Sequence, residues 1–230
     1  SGFSFGAILM SVPAQRKFHC AAILFDLDGV LVDSTRSVAR FWKQWAAQHN
    51  VSPEEAVRVA HGRRTLETVR LLAPHLDAET ETLRIEAIEA DDSSALERVK
   101  GALELLSALP ADRWAVVTSG TRYLATRRLA NNGLPQPSAF VTADEVSQGK
   151  PHPEPYLKGA ELLRLAPQEC LVFEDAPAGI ESAHAAGMTA VALATTYPIA
   201  ELAHADAVIR DLSEVSARLN GDGRLEVVVG

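Results

Sequence analysis

Two carboxylates two residues apart, Asp26 and Asp28, follow the apolar run Ala21-Ala22-Ile23-Leu24-Phe25 and precede a glycine, Gly29. Near the end of a strand, side chains at i and i+2 point the same way, so both acids face one side. Gly29 lets the chain turn sharply beside them. One such acid can attack an electrophile while the other carries the proton of the leaving group. Three later stretches hold groups suited to the same work: Thr118-Ser119-Gly120 after WAVVT, Lys150 in Gly149-Lys150-Pro151, and Glu174-Asp175 at the end of ECLVFE. Asp26, Glu174 and Asp175, with Asp28 beside them, form an all-oxygen set of the kind Mg²⁺ prefers. Lys150 offers a phosphate a point charge, and Thr118 and Ser119 offer hydroxyls. Backbone N–H groups of the helix after Gly120 add positive polarity. Together these are the parts of phosphoryl transfer through an aspartyl-phosphate. Asp26 would be nucleophile and metal ligand, and Asp28 the general acid/base.

Each piece also has a plain structural role. An Asp-x-Asp at a strand end can shape a turn, and Thr118-Ser119 can cap the next helix. Lys150 can sit in water, and Glu174-Asp175 can favour a helix start. What sets the ensemble apart is order: each piece stands beside its own expected strand.

Those strands come from an alternating pattern. Residues 21–25, 114–118, 139–143, 169–174, 189–193 and 205–209 are short apolar runs, and helical spacing fills the stretches between them. Buried strands joined by helices predict a Rossmann-like α/β core, a parallel sheet with helices on both faces. Ligands bind such sheets at the C-terminal strand ends, near the switch in strand order, which is where the candidate residues fall. Residues 36–97 break the alternation and read as helical throughout, with a start signal at Ser52-Pro53-Glu54-Glu55. They form an inserted all-helical cap between core segments 19–35 and 98–230. In the cap, Trp42 and Trp45 share a helix face; they can pack its core or line a closed site. Residues 1–18 read as a loose extension or tag remnant, because Arg16 and Lys17 follow the apolar Phe3–Val12 run instead of preceding it. Asn220-Gly221-Asp222-Gly223 reads as a turn between two short extended pieces.

A chain of 230 residues can bury a substantial core. Its net charge of −8 argues against non-specific nucleic-acid binding, which needs a basic face. No apolar run approaches membrane-spanning length. Two cysteines far apart, Cys20 and Cys170, make neither a disulfide framework nor a zinc pattern, so a cytoplasmic, reducing compartment is expected. A monomer acting on a small phosphate ester is the working expectation.

FDLDGVLVDS, VVTSG, KPHPEPY and VFEDAPAGIESAHAAGM resemble, in order, the four motifs of the haloacid dehalogenase-like superfamily in its phosphatase branch. The resemblance spans residues 20–212. It implies that Thr118 binds phosphate, Lys150 stabilises the phosphoaspartate, and Glu174 and Asp175 belong to a Mg²⁺ site. It also implies a C1-type cap at the position of the helical insert. Dehalogenating members lack an acid at the position of Asp28, so hydrolysis of a phosphate ester is implied. The segment AHGRRTLET is similar to a His-Gly-x-Arg-Thr stretch of sugar-phosphate and glycerol-phosphate phosphatases. His61 and Arg64 would then reach the substrate from the cap, or else His61 ends a helix and Arg64 sits in water. The alternatives to hydrolysis are a phosphosugar mutase, which returns the phosphoryl group to a sugar hydroxyl, and a binding protein that has lost the chemistry.

Overall fold

The computed structural model describes residues 15–92 and 96–230. It opens with β1 (Arg16–Cys20), β2 (Ala22–Phe25) and the two-residue β3 (Val32–Asp33). Four helices follow: α1 (Thr35–His49), α2 (Pro53–Ala60), α3 (Thr65–Leu72) and α4 (Ala78–Asp91). The short β4 (Glu97–Arg98) pairs antiparallel with β3, so the chain leaves and re-enters the sheet through one two-stranded ribbon. The alternation then resumes with α5 (Ala102–Ala108), β5 (Trp114–Val117), α6 (Arg122–Asn131), β6 (Ala139–Val141), α7 (Glu154–Leu163), β7 (Cys170–Glu174), α8 (Pro177–Ala185), β8 (Thr189–Leu193) and β9 (Ala207–Ile209). The chain closes with β10 (Val215–Leu219) and β11 (Leu225–Val229).

Strands β6-β5-β2-β7-β8-β9 form a parallel sheet in that order. β2, β5 and β7 are buried along their whole length, as expected of strands covered on both faces. Alternate residues feed two cores: Ile23, Phe25, Val116 and Phe173 point to one face, Leu24, Ala115, Val117 and Val172 to the other. Strand order reverses at β2, which has β5 on one side and β7 on the other. The C-terminal ends of these three strands therefore converge on one crevice.

The helices between β3 and β4 have a core of their own around Trp42, Trp45, Val69 and Ile85. Ser52 accepts a hydrogen bond from the Glu55 amide and Pro53 takes the first helical turn, as the capping pattern predicts. Trp42 and Trp45 lie edge to face, with ring centroids 5.1 Å apart.

The amino-terminal boundary differs from the expectation. Residues 16–18 are not a loose extension: β1 pairs antiparallel with β11 from Arg16↔Val229 to Cys20↔Leu225. The Asn220–Gly223 turn joins β10 to β11, and β11 is the middle strand of this small sheet. Leu225, Val227 and Val229 of β11 face inward onto the main core. The outer position of β1 explains why its sequence is misleading: Arg16, Lys17 and His19 are exposed, leaving only Phe18 and Cys20 as inward signals. Residues 1–14 of the expected extension lie outside the described residues.

Candidate active site

The ends of β2, β5 and β7, with the loop before α7, deliver the predicted acids, hydroxyls and lysine to one place. Lys150 is its electrostatic centre, with 1% of its surface exposed. Its Nζ donates to Asp26 Oδ1 at 2.5 Å, to Glu174 Oε1 at 2.6 Å and to the Val117 carbonyl at 3.1 Å. All three of its protons thus have an acceptor. Burial works against the charge on Lys150, but Asp26 and Glu174 outweigh it and raise its pKa above the ordinary value.

Glu174 accepts four hydrogen bonds. Its Oε1 also takes the Tyr156 hydroxyl at 2.8 Å, and its Oε2 takes the amides of Asp175 and Ala176 at 2.9 and 3.2 Å. Tyr156 is a site residue that the sequence reading passed over, although it closes the KPHPEPY stretch. Two glycines make room for these acids. A Cβ on Gly179 would fall 1.8 Å from Glu174 Oε1. Gly29 has φ +82°, and a Cβ there would fall 2.0 Å from Asp175 Oδ2.

Asp26, Glu174 and Asp175 bring carboxylate oxygens within 4.8 Å of one another, all buried. Burial pushes the Asp26 carboxyl up to about 8, with Lys150 opposing and Glu174 and Asp28 adding to the rise. Burial, with Glu174 and Asp26, likewise holds Asp175 well above the usual carboxylate range. Three buried acids against one lysine are short of positive charge. A hard cation suits both the deficit and the all-oxygen donor set. The cluster can therefore hold a metal ion.

Asp28 stands apart from that cluster, contrary to its placement in the expected metal set. Its Oδ2 accepts from Arg128 Nη1 at 2.6 Å, so its side chain is turned towards α6. Its Oδ1 has no partner among the described residues. Arg128, 4% exposed, also donates through Nη2 to Glu89 Oε2 at 3.1 Å. Burial pushes Glu89 up to about 7, with Arg128 opposing. The bridge Asp28–Arg128–Glu89 was not visible in the sequence, because its members lie 100 and 39 residues apart.

Above the strand ends, Asp26, Asp28, Thr118, Ser119 and Asp175 line a cavity of about 60 Å³, closed from the helical side by Trp42, His61, Arg63 and Glu89. Thr118 Oγ1 accepts from the Gly120 amide at 3.1 Å. Ser119 Oγ donates to the Gly62 carbonyl at 3.0 Å. His61 Nδ1 donates to the Val57 carbonyl at 2.7 Å, and burial lowers the pKa of the ring. Trp42 plays both roles foreseen for it, packing the helical core and lining the cavity.

Arg64 does not face this cavity. Its guanidinium pairs with Glu67 and donates to the carbonyls of Val146 and Ser147 at 3.0 and 2.9 Å. The Gly149 amide donates to Glu67 Oε1 at 3.1 Å. Arg64 thus ties the insert to the loop that carries Lys150, and its neighbour Arg63 lines the cavity. Sequence gives no side-chain direction, and adjacent residues at a helix start point to different sides. A further tie joins the Tyr197 hydroxyl to the Arg58 carbonyl at 3.1 Å.

A family model for haloacid dehalogenase-like hydrolase matches residues 20–187, and the chain belongs to that family. It is 42% identical over 211 residues to hexitol phosphatase A of Escherichia coli, covering 89% of this chain and 98% of that protein. It is 34% identical over 240 residues to 2-deoxyglucose-6-phosphate phosphatase 2 of Saccharomyces cerevisiae, covering 93% and 96%. A hydrolase from Pseudomonas syringae has the same fold, with a TM-score of 0.71 and 28% identity over 83% of this chain and 93% of that one. A β-phosphoglucomutase from Clostridium difficile also has the fold, with a TM-score of 0.71 over 86% of this chain and 93% of that one; at 21% identity that likeness concerns architecture alone.

Proposed function

We propose that the protein is a Mg²⁺-dependent phosphatase that hydrolyses small phosphorylated sugars, sugar alcohols or glycerol phosphate through a phosphoaspartate on Asp26. The observation that carries this reading is the Lys150 ammonium shared between Asp26 and Glu174 beneath a cavity lined by Asp28 and Thr118. The names of the relatives, phosphatases of hexitol and 2-deoxyglucose phosphates, support the substrate class.

Asp26, Glu174 and Asp175 would hold the cation, which when bound neutralises charge on the phosphoryl group. Lys150 fixes Asp26 Oδ1 and adds a second positive charge below the reacting phosphorus. Thr118 binds a phosphate oxygen. Asp26 attacks phosphorus in line as the P–O bond to the alcohol breaks. Asp28 gives the departing alkoxide its proton. Arg128 anchors Oδ2 of Asp28, leaving Oδ1, which has no hydrogen-bond partner among the described residues, as the proton-carrying atom. Water then attacks phosphorus, Asp28 takes its proton, and Asp26 is released with inorganic phosphate. The insert keeps bulk water out while the phosphoryl group moves.

The test is release of inorganic phosphate from mannitol 1-phosphate, sorbitol 6-phosphate, 2-deoxyglucose 6-phosphate, glycerol phosphates, β-glucose 1-phosphate and a nucleotide, with and without Mg²⁺. Release should depend on Mg²⁺, favour the sugar and polyol esters, and vanish in a folded Asp26→Asn variant. Normal turnover by that variant would end the proposal. Conversion of β-glucose 1-phosphate to its isomer without phosphate release would replace hydrolysis by mutase chemistry.

A further inference from the structure

Four buried side-chain polar atoms around the active site, Asp28 Oδ1, His61 Nε2, Glu89 Oε1 and Arg128 Nε, have no hydrogen-bond partner among the described residues. All four belong to residues that line the cavity above Asp26. Buried polar atoms are ordinarily satisfied, so four orphans on residues around one cavity ask for a polar occupant. Asp28 Oδ1 has a role in proton transfer. Arg128 holds Asp28 through Nη1, but Arg128 Nε and Glu89 Oε1 have no role in the movement of the phosphoryl group.

Glu89 descends from α4 and is 6% exposed; Arg128 rises from α6 and is 4% exposed. Their mutual hydrogen bond uses Glu89 Oε2 and Arg128 Nη2. That leaves Oε1, an acceptor, and Nε, a donor. Because Nδ1–H of His61 is committed to the Val57 carbonyl, Nε2 of the neutral ring is a second acceptor. A hydroxyl group donates one hydrogen bond and accepts others, and so matches a site offering both kinds of atom. An alkyl chain would leave all three atoms buried and unpaired.

We infer that Glu89 Oε1, Arg128 Nε and His61 Nε2 bind hydroxyl groups of the leaving alcohol, and that Glu89 determines the preference of the site for polyol esters over plain alkyl esters. The inference rests on the phosphatase reading above and adds to it the residues that recognise the alcohol. A site built to hydrogen-bond a hydroxyl rejects the analogue that lacks it, because its own buried groups are then left without partners.

The test compares kcat/KM, with Mg²⁺, for glycerol 1-phosphate, 1,2-propanediol 1-phosphate and n-propyl phosphate. These compounds carry two, one and no free hydroxyls on similar carbon frames. In the wild-type protein, kcat/KM should fall at least about tenfold from the first to the last. Glu89→Leu, which keeps bulk but removes the acceptor, should bring the ratio to within about threefold. Glu89→Gln, which retains an acceptor oxygen, should restore part of it. A role limited to propping Arg128 against Asp28 would lower turnover of all three esters together and leave the ratio unchanged, and that result would overturn the inference. A wild-type ratio near one would overturn it without any variant, while leaving the phosphatase reading intact. Release from none of the three, nor from any sugar phosphate, would remove both.

Discussion

Replacing Lys150 by methionine keeps a long side chain in place but removes the cation from beneath Asp26 and Glu174. Three hydrogen bonds of 2.5, 2.6 and 3.1 Å are lost together, and two buried carboxylates lose their shared partner. Breaking a buried ion pair by removing one member costs about 3–5 kcal/mol. For a domain of this size, 1 kcal/mol corresponds to about 2–4 °C in Tm, so the melting temperature at pH 7.5 should drop by about 6–20 °C. The loss should depend on pH. Asp26 is held up at about 8 in the wild type, and without Lys150 to oppose burial its folded value rises further above the unfolded value of about 4. Folding of either protein takes up a proton at Asp26, so stability falls as pH rises from about 4; the wild type stops losing stability near pH 8, whereas the variant goes on losing it above that. The gap between variant and wild type should therefore be steady between pH 5 and 7 and widen as pH passes about 8. Thermal denaturation followed by circular dichroism in metal-free buffer at pH 5, 7 and 9 measures it. A variant that melts within 2 °C of wild type at every pH would show that Lys150 is not the counter-charge of this cluster.

Other expectations concern the cation, the turn beside it and the insert. Asp26, raised to about 8, must shed its proton to take a cation, so the gain in Tm from saturating Mg²⁺ should grow between pH 6 and 8.5; a gain independent of pH would count against Asp26 as a ligand. Gly29→Ala puts a Cβ against Asp175 Oδ2 at positive φ, so the variant should bind Mg²⁺ at least tenfold more weakly by isothermal titration and destabilise the fold by about 1–2 kcal/mol. Arg64→Ala should lower Tm by several degrees while KM for a sugar phosphate changes less than about threefold, because Arg64 ties the insert to the 146–147 carbonyls and stays off the cavity; a large rise in KM with an unchanged Tm would return it to the substrate.

The strand ends were legible because two kinds of signal coincide there. Ile23-Leu24-Phe25 and Leu171-Val172-Phe173 are apolar on both faces, and polar residues begin abruptly where each strand stops. Asp26, Thr118, Glu174 and Asp175 could therefore be singled out from sequence order, whereas Lys150 follows no strand and stood out only by its place in Gly149-Lys150-Pro151. Arg128 and Glu89 could not be singled out. Each sits among other charges on its helix, RRLANN and IEAIEA, and only tertiary packing decides that Arg128 is buried while Arg127 stays exposed, and that Glu86 and Glu89 both turn inward. Arg64 lies away from its expected place for a related reason: its partners across the insert boundary are backbone carbonyls, which leave no mark in the sequence. β1 was missed because an outer strand keeps only half of its hydrophobic alternation.

Beside the Glu89–Arg128 ion pair, three contacts that tie the helical insert to the core have a common form. Ser119 reaches the carbonyl of Gly62, Tyr197 that of Arg58, and Arg64 those of Val146 and Ser147. In each case a side chain on one partner grips the main chain of the other. Main-chain carbonyls are the same whatever residue bears them, so the side chains at positions 58, 146 and 147 can be exchanged without disturbing the grip. Closure of the site is in this way uncoupled from the identity of the loop residues around it. A lineage, or an engineer, can rewrite the surface that selects the alcohol while the machinery that moves the phosphoryl group stays shut and in register.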